Sequence, residues 1–179
     1  MNSPPATRPH AAVVDPREGE EESRRGIHYS YCFAAAAVAV EVDTATGKIR
    51  VLKVRAVQDA GKAIHPANVR GQIEGAVLMG IGFALSEEFL EDEDRCITDT
   101  LHKLRVPRID DAPIIEAVIV EDPQSAGPFG AKGMGEVGLN PIAPAISNAV
   151  FDAAGVRLQE LPMRPERVLA ALAHSKAAP

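Results

Sequence analysis

The segment GKAIHPANVRGQIEGAVLMGIGFALSEEF, from Gly61 to Phe89, constrains the fold most. Pro66 suits the first turn of a helix, where a missing N–H is no loss. Wound at the helical period, Val69, Ile73, Ala76, Val77, Gly80, Phe83 and Ala84 fall on one side. Gly71, Gly75, Leu78 and Gly82 fall on the other, and Arg70 and Glu74 share a narrow polar seam. Each mid-helix glycine costs about 1 kcal/mol relative to alanine. The glycine side therefore predicts very close packing there and a helix buried on most of its sides. Gln72 lies at the edge of the apolar stripe. A buried amide needs hydrogen-bond partners, either nearby backbone or a polar ligand.

Strands flank this helix. FAAAAVAVEVD and TATGKIRVLKVRAVQD, Phe33 to Asp59, read as two strands joined by a turn in which Asp43, Thr44 and Gly47 supply the chemistry. In the second strand Leu52, Val54 and Ala56 are expected inward, alternating with Lys53 and Arg55. LEDEDRC reads as a charged loop, TLHKLRV as a short strand ending at Pro107, and RIDDAP as a turn. In PIIEAVIVED, Ile115, Ala117 and Ile119 alternate against Ile114, Glu116, Val118 and Val120. IAPAISNAVFDAAG reads as a helix with Ile142, Ile146, Ala149, Val150 and Ala153 on its apolar stripe and Gly155 as its stop. VRLQELPM reads as a last strand and RPERVLAAL as a terminal helix. The order β-β-α-β-β-loop-α-β-α gives a mixed α/β (α+β) domain. Its expected extent is residues 27–175. It follows a loose, charged and proline-rich segment, residues 1–26.

The bulk numbers exclude several functions. In 179 residues, aromatic content is 4% and Trp is absent, so the core must be aliphatic. A net charge of −6 with scattered basic residues argues against nucleic-acid binding. Cys32 and Cys96 are the only cysteines, too few for a cluster or zinc site that needs about four ligands. The run CFAAAAVAV falls far short of the ~20 residues of a membrane span, and no leader is visible, so a cytoplasmic protein is expected.

The chemistry concentrates in GPFGAKGMGEVGLNP, Gly127 to Pro141, where five glycines surround Lys132 and Glu136. No Ser or Thr follows Lys132, and Gly130, Gly133 and Gly135 do not form the dinucleotide fingerprint. Two readings stand on the residues alone. One is a structural strand-to-helix turn with both charges solvated. The other is a cofactor cradle whose glycine backbone approaches a ligand closely. In the second, Glu136, shielded by Pro128, Phe129 and Leu139, serves as a partly desolvated general base.

GPFGAKGMGE, followed by PIAPAISNAVFDAAGVRLQELPMRPERVLAAL, resembles the C-terminal end of the molybdenum-cofactor subunit of the xanthine dehydrogenase and aldehyde oxidase family. VEVDTATGKIRVLKVRAVQDAGKAIHPANVRGQIEGAVLMGIGFALSEE is similar to the preceding part of that subunit. The resemblance runs from Ala39 to Leu172. It implies a molybdenum hydroxylase that inserts a water-derived oxygen into a C–H bond of an aldehyde or aromatic N-heterocycle. It implies Glu136 as the base for a molybdenum-bound hydroxide. Gln72, Ala131, Lys132, Gly133 and Gly135 then lie beside a molybdopterin cofactor, and the chain itself supplies no metal ligand.

The resemblance further implies iron–sulfur clusters, with or without FAD, on other subunits. Family members are several times longer, so a second chain carrying the missing N-terminal half of the subunit is expected as partner. The alternative is a truncated remnant or assembly module that binds no cofactor alone. Where the family often has INP, this chain has IHP. His65 there is expected to start the helix, and LRVPR at Leu104–Arg108 also departs from the family pattern.

Overall fold

Alternation builds the first strands. β1 (Ala34–Val42) turns Ala34, Ala36, Val38, Val40 and Val42 inward and the residues between them outward. Asp43 closes the following turn, its carboxylate accepting from the Ala45 N–H at 2.9 Å and the Thr46 hydroxyl at 2.7 Å. Gly47 completes it at φ 76°, where an added Cβ would stand 2.2 Å from the Pro165 carbonyl oxygen. β2 (Ile49–Asp59) returns antiparallel to β1. Val54 and Ala56 are buried as expected, but Val51 takes the inward place and Leu52 is 40% exposed. Ala39 pairs with Lys53 and Val40 with Val51, so Leu52 is the extra residue of a β-bulge that inverts the alternation. The computed structural model describes residues 31–124 and 127–177, and the segment 1–26 lies outside them.

α1 (Pro66–Leu85) starts at His65, whose Nδ1 accepts from the Asn68 N–H at 3.2 Å. Ile73, Ala76, Val77, Gly80, Ile81 and Ala84 are buried. Gly71, Gln72, Gly75, Met79 and Phe83 are exposed. The expected burial on most sides is therefore corrected. Among the described residues nothing covers the Gly71–Gly75 surface, where an added Cβ meets no atom within 4 Å. The close packing instead involves Gly80, whose Cβ would lie 2.5 Å from that of Ile142, and Gly82, which faces Glu87 and Pro107.

The charged loop contains a small hairpin of β3 (Glu91–Asp92) and β4 (Arg95–Cys96). TLHKLRV is not a strand. It forms α2 (Leu101–Leu104), with the Thr100 hydroxyl accepting from the Lys103 N–H at 3.3 Å and Arg105 left-handed at its end. β5 (Ile114–Val120) pairs parallel with β2, Lys53 opposite Ile114 and Asp59 opposite Val120. The sheet order is β1-β2-β5.

α3 (Ile142–Ala154) buries Ile142, Ile146 and Val150 and ends at Gly155, φ 71°. VRLQELPM forms no strand. It runs without a ladder, anchored by buried Val156 and Met163, into α4 (Pro165–Ala177). The core lies between one sheet face and the helices: Val54, Ile73, Val77, Ile142, Ile146 and Met163 are its centre. The mixed α/β class stands. Among the described residues no helix is long and apolar enough to cross a membrane.

Candidate functional site

Parallel pairing places the carboxyl ends of β2 and β5 side by side, the end of an α/β sheet where ligands usually bind. Gln58 and Asp59 end β2 and Ala60 follows it, and Glu121 and Asp122 follow β5. The glycine loop lies across this end. Its first limb is held by backbone: Lys62 N–H donates to Gly130 O at 2.8 Å, Gln124 N–H to the same oxygen at 3.0 Å, and Lys132 N–H to Ala60 O at 3.0 Å. Gly61 faces Ala131 in an antiparallel bridge. A Cβ on Gly61 would lie 2.3 Å from Gly130 O, so this approach requires glycine.

Lys132 is not solvated, as a plain turn would have it. Its ammonium lies 2.5 Å from Asp59 and 3.3 Å from Asp122; the Lys132 and Asp59 side chains are 5% and 6% exposed. Asp59 also accepts the Gly61 N–H at 2.8 Å. Burial alone would push the Asp59 carboxyl up, but Lys132 and the Gly61 N–H hold it below the usual carboxylate range. The hydrogen bond to Asp59 lifts Lys132 above the usual lysine value against the opposing effect of burial, with Asp122 adding to the lift. Burial, together with the charge of Asp59, pushes the Cys32 thiol up, Lys132 offsetting part of this. Its Sγ donates to Gly133 O at 3.5 Å.

These shifts fix the sign of a pH effect. A depressed Asp59 contributes stability above its unfolded value of about 4, lost as pH falls through the folded value. A raised Lys132 contributes stability below its unfolded value of about 10.4, lost as pH rises through the folded one. The urea-midpoint difference between wild type and Asp59→Asn should therefore be constant from about pH 5 to 9 and shrink on either side. A difference that varied through neutrality would refute the pairing as its source.

The second limb is looser. Met134 packs on the core and receives the Gln58 amide at 3.5 Å. The other amide atom of Gln58, Oε1, is buried without a partner beside Gly138, where an added Cβ would sit 2.7 Å from it and 3.1 Å from Ala76 of α1. This contact joins the loop to α1 one turn beyond Gln72. Leu139 N–H donates to Glu136 O at 3.0 Å, making a turn.

Of the expected site residues, Ala131 and Lys132 lie in the anchored limb, and Gly133, Gly135 and Glu136 in the exposed one. Gln72 stands on the open side of α1. Two expectations are corrected. Gln72 is exposed rather than on a buried edge, because α1 is covered on one side only. Glu136 is exposed rather than shielded, and Phe129, expected to cover it, is 90% exposed at φ 54°. Among the described residues neither the Gln72 amide nor the Glu136 carboxylate has a hydrogen-bond partner.

Asp59 and Asp122 do not stand out in the sequence; an acidic residue at or just past the end of each of two strands is the available signal. A cleft of about 1050 Å³ lies at the other end of the sheet, among Lys48, Arg50, His102 and Arg105, and the glycine loop does not line it.

Residues 6–113 match the model of the family described as molybdopterin cofactor-binding domain. The chain is similar to the probable hypoxanthine oxidase XdhD of Escherichia coli, at 40% identity over 80% of this chain and 15% of that protein. It is similar to the aldehyde oxidoreductase molybdenum-binding subunit PaoC of the same organism, at 38% over 76% of this chain and 19% of that one. Among solved structures, the aldehyde oxidoreductase of Desulfovibrio gigas superposes with a TM-score of 0.75 at 39% identity, covering 81% of this chain and 16% of that one. The chain thus spans only 15% and 19% of the length of these two curated relatives, so it corresponds to one portion of a much longer subunit.

Proposed function

Because the chain belongs to the molybdopterin cofactor-binding domain family, we propose that it forms one wall of the active site of a molybdenum hydroxylase. That enzyme oxidises an aldehyde or an aromatic N-heterocycle with water-derived oxygen. A second polypeptide supplies the rest of the domain. The observation that carries this reading is Glu136: an unpartnered carboxylate on a loop whose preceding limb is fixed to the carboxyl ends of two parallel strands.

The residues present fit the cofactor. Among the described residues nothing stands within 4 Å of where a Cβ on Gly71, Gly75, Gly133 or Gly135 would be, and the Gln72 amide has no partner. An extended polar ligand requires such bare backbone and unpaired donors. Among the described residues no three His, Cys, Asp or Glu side chains gather around a metal position, so the metal would arrive held by its cofactor. When bound, the molybdenum cofactor supplies two-electron redox chemistry. Gln72 and the backbone of Ala131, Lys132, Gly133 and Gly135 bind and orient it. Glu136 takes the proton of the water-derived nucleophile at a carboxylate oxygen. Cys32 and Cys96 are free thiols, and iron–sulfur clusters, with or without a flavin, belong to other subunits. The closure that would exclude water from Glu136 comes from the partner chain.

Metal analysis tests the reading. Co-purified with the chain that completes the domain, the complex should contain about one molybdenum, consistent with one cofactor site per domain. The chain purified alone should contain far less. Tight molybdenum binding by the lone chain would refute the shared site. A complex without molybdenum would favour a non-catalytic assembly module, whose exposed Met79 and Phe83 then serve association alone.

A further inference from the structure

We propose that Lys132 is a positioning residue: its ammonium clamps the glycine loop to the ends of β2 and β5 and so sets where Glu136 stands, without itself meeting cofactor or substrate. The inference rests on the reading of Glu136 as the base. Three observations carry it.

The first is direction. The Lys132 ammonium is turned into the protein, 5% exposed and shared between Asp59 and Asp122. Two carboxylates around one ammonium leave the cluster net negative, the wrong sign to attract an anionic cofactor group. Its side chain is therefore committed inward even though its backbone lies on the loop.

The second is connectivity. Asp59 uses one oxygen for the Gly61 N–H and the other for Lys132. Gly61 is the residue bridged to Ala131, and the Lys132 N–H is bonded to Ala60 O. The ion pair thus closes a ring with the backbone contacts, tying the end of β2 to the loop at one point. Asp122 adds the segment after β5 to the same point.

The third is the looseness of the chain beyond Lys132. Between it and Glu136 stand Gly133, Met134 and Gly135. Among the described residues the polar side-chain contacts on that stretch are the long ones from Cys32 and Gln58, each 3.5 Å. Gly133 and Gly135 restrict the backbone least of any residue type. Met134 packs on the core without a strong polar anchor, so Lys132 is the last side chain before Glu136 held by an ion pair. Removing its charge also leaves Asp59 buried without a counter-ion, a strongly unfavourable state relieved by uptake of a proton at Asp59 or by movement of the loop, and either outcome loses the clamp.

The test compares wild type, Lys132→Met, Lys132→Arg and, as a distant control, Arg50→Ala, which removes an exposed pair with Glu41. The assembled complex is assayed with whichever of benzaldehyde, xanthine or nicotinate the wild type oxidises, and turnover is normalised to bound molybdenum. Hydrogen exchange of residues 127–138 is measured on the full 179-residue chain.

For Lys132→Met we expect kcat per molybdenum to fall about 100-fold, the scale of an ångström-sized misplacement, with KM little changed. Exchange in 127–138 should rise while β5 stays protected. Lys132→Arg, which keeps the charge, should recover most of both, and Arg50→Ala should change neither. Faster exchange with unchanged kcat per molybdenum would overturn the positioning role. Unchanged exchange would overturn the clamp itself. Should Lys132→Met not fold, Asp59→Asn, nearly equal in volume, removes the same pair and carries the same expectations. A fully active Glu136→Gln complex would instead remove the base assignment on which the inference rests, a result distinct from either outcome at Lys132.

Discussion

Glu136→Gln should lower turnover per molybdenum by about 100- to 10,000-fold, the range supplied by a positioned general base. The amide keeps the size and shape of the carboxylate, so the change removes little except the ability to take a proton. The surroundings make this an unusually clean substitution. Glu136 is exposed, and its carboxylate has no partner among the described residues, so no buried group is orphaned by the exchange. Its backbone carbonyl, which accepts from Leu139, is untouched. Stability of the chain should thus stay within about 0.5 kcal/mol of wild type, as for surface positions without special contacts. Molybdenum content of the complex should be retained. Full turnover at full metal loading would remove Glu136 from the proton transfer. Loss of both together would mean that Glu136 serves cofactor retention instead.

The second large effect is structural. Ile142→Ala should cost about 2–5 kcal/mol, the usual range for truncating a fully buried isoleucine. Ile142 is 0% exposed and opens α3 against Gly80 of α1. Gly80→Ala should be destabilising too, by about 1–3 kcal/mol for overpacking, although alanine is the better helix former by about 1 kcal/mol. The reason is that the clash is with the Ile142 Cβ, at 2.5 Å, an atom every residue but glycine carries. Ile142→Ala therefore will not rescue Gly80→Ala, and the two helices must separate to admit the extra methyl. Gly71→Ala and Gly75→Ala in the lone chain should do the opposite and raise stability by about 0.4–1 kcal/mol, because among the described residues nothing stands where their Cβ would be. Urea unfolding of the four variants gives the midpoints. A stabilised Gly80→Ala would refute the packing described between α1 and α3.

How far these features can be read from residues alone depends on whether they are local. The period-3.6 stripe of Ile142, Ile146 and Val150 and the alternation of Ile115, Ala117 and Ile119 both predict their elements, because local pattern and tertiary burial agree there. Leu52 fails because a bulge is set by the partner strand, and one extra residue reverses every later side chain. TLHKLRV fails because one cap, Thr100, outweighs strand-like composition over so short a stretch. At the site, the glycine motif and the resemblance it carries mark the loop. The Lys132–Asp59 pair stays hidden, since it exists only once β2 and β5 lie in parallel register. The exposure of Gln72 and Glu136 was equally beyond a reading of the residues. Neither has a cover among the described residues, and cover is a tertiary property that no local pattern encodes.

The parallel pairing of β2 with β5 also decides when the site can form. The two strands are separated in sequence by α1, the β3–β4 hairpin and α2. Joining them costs more loop-closure entropy than closing the β1–β2 hairpin, and pairings of this kind form slowly. The β1–β2 hairpin and α1 can assemble from neighbours, but Lys132 meets Asp59 only after β5 has docked. Until then β2 carries an unsatisfied edge, which invites the wrong strand. On a ribosome, that interval lasts until β5 has emerged. Chaperone dependence and inclusion-body yield during expression should accordingly be governed by β5, far more than by the glycine loop that holds Glu136.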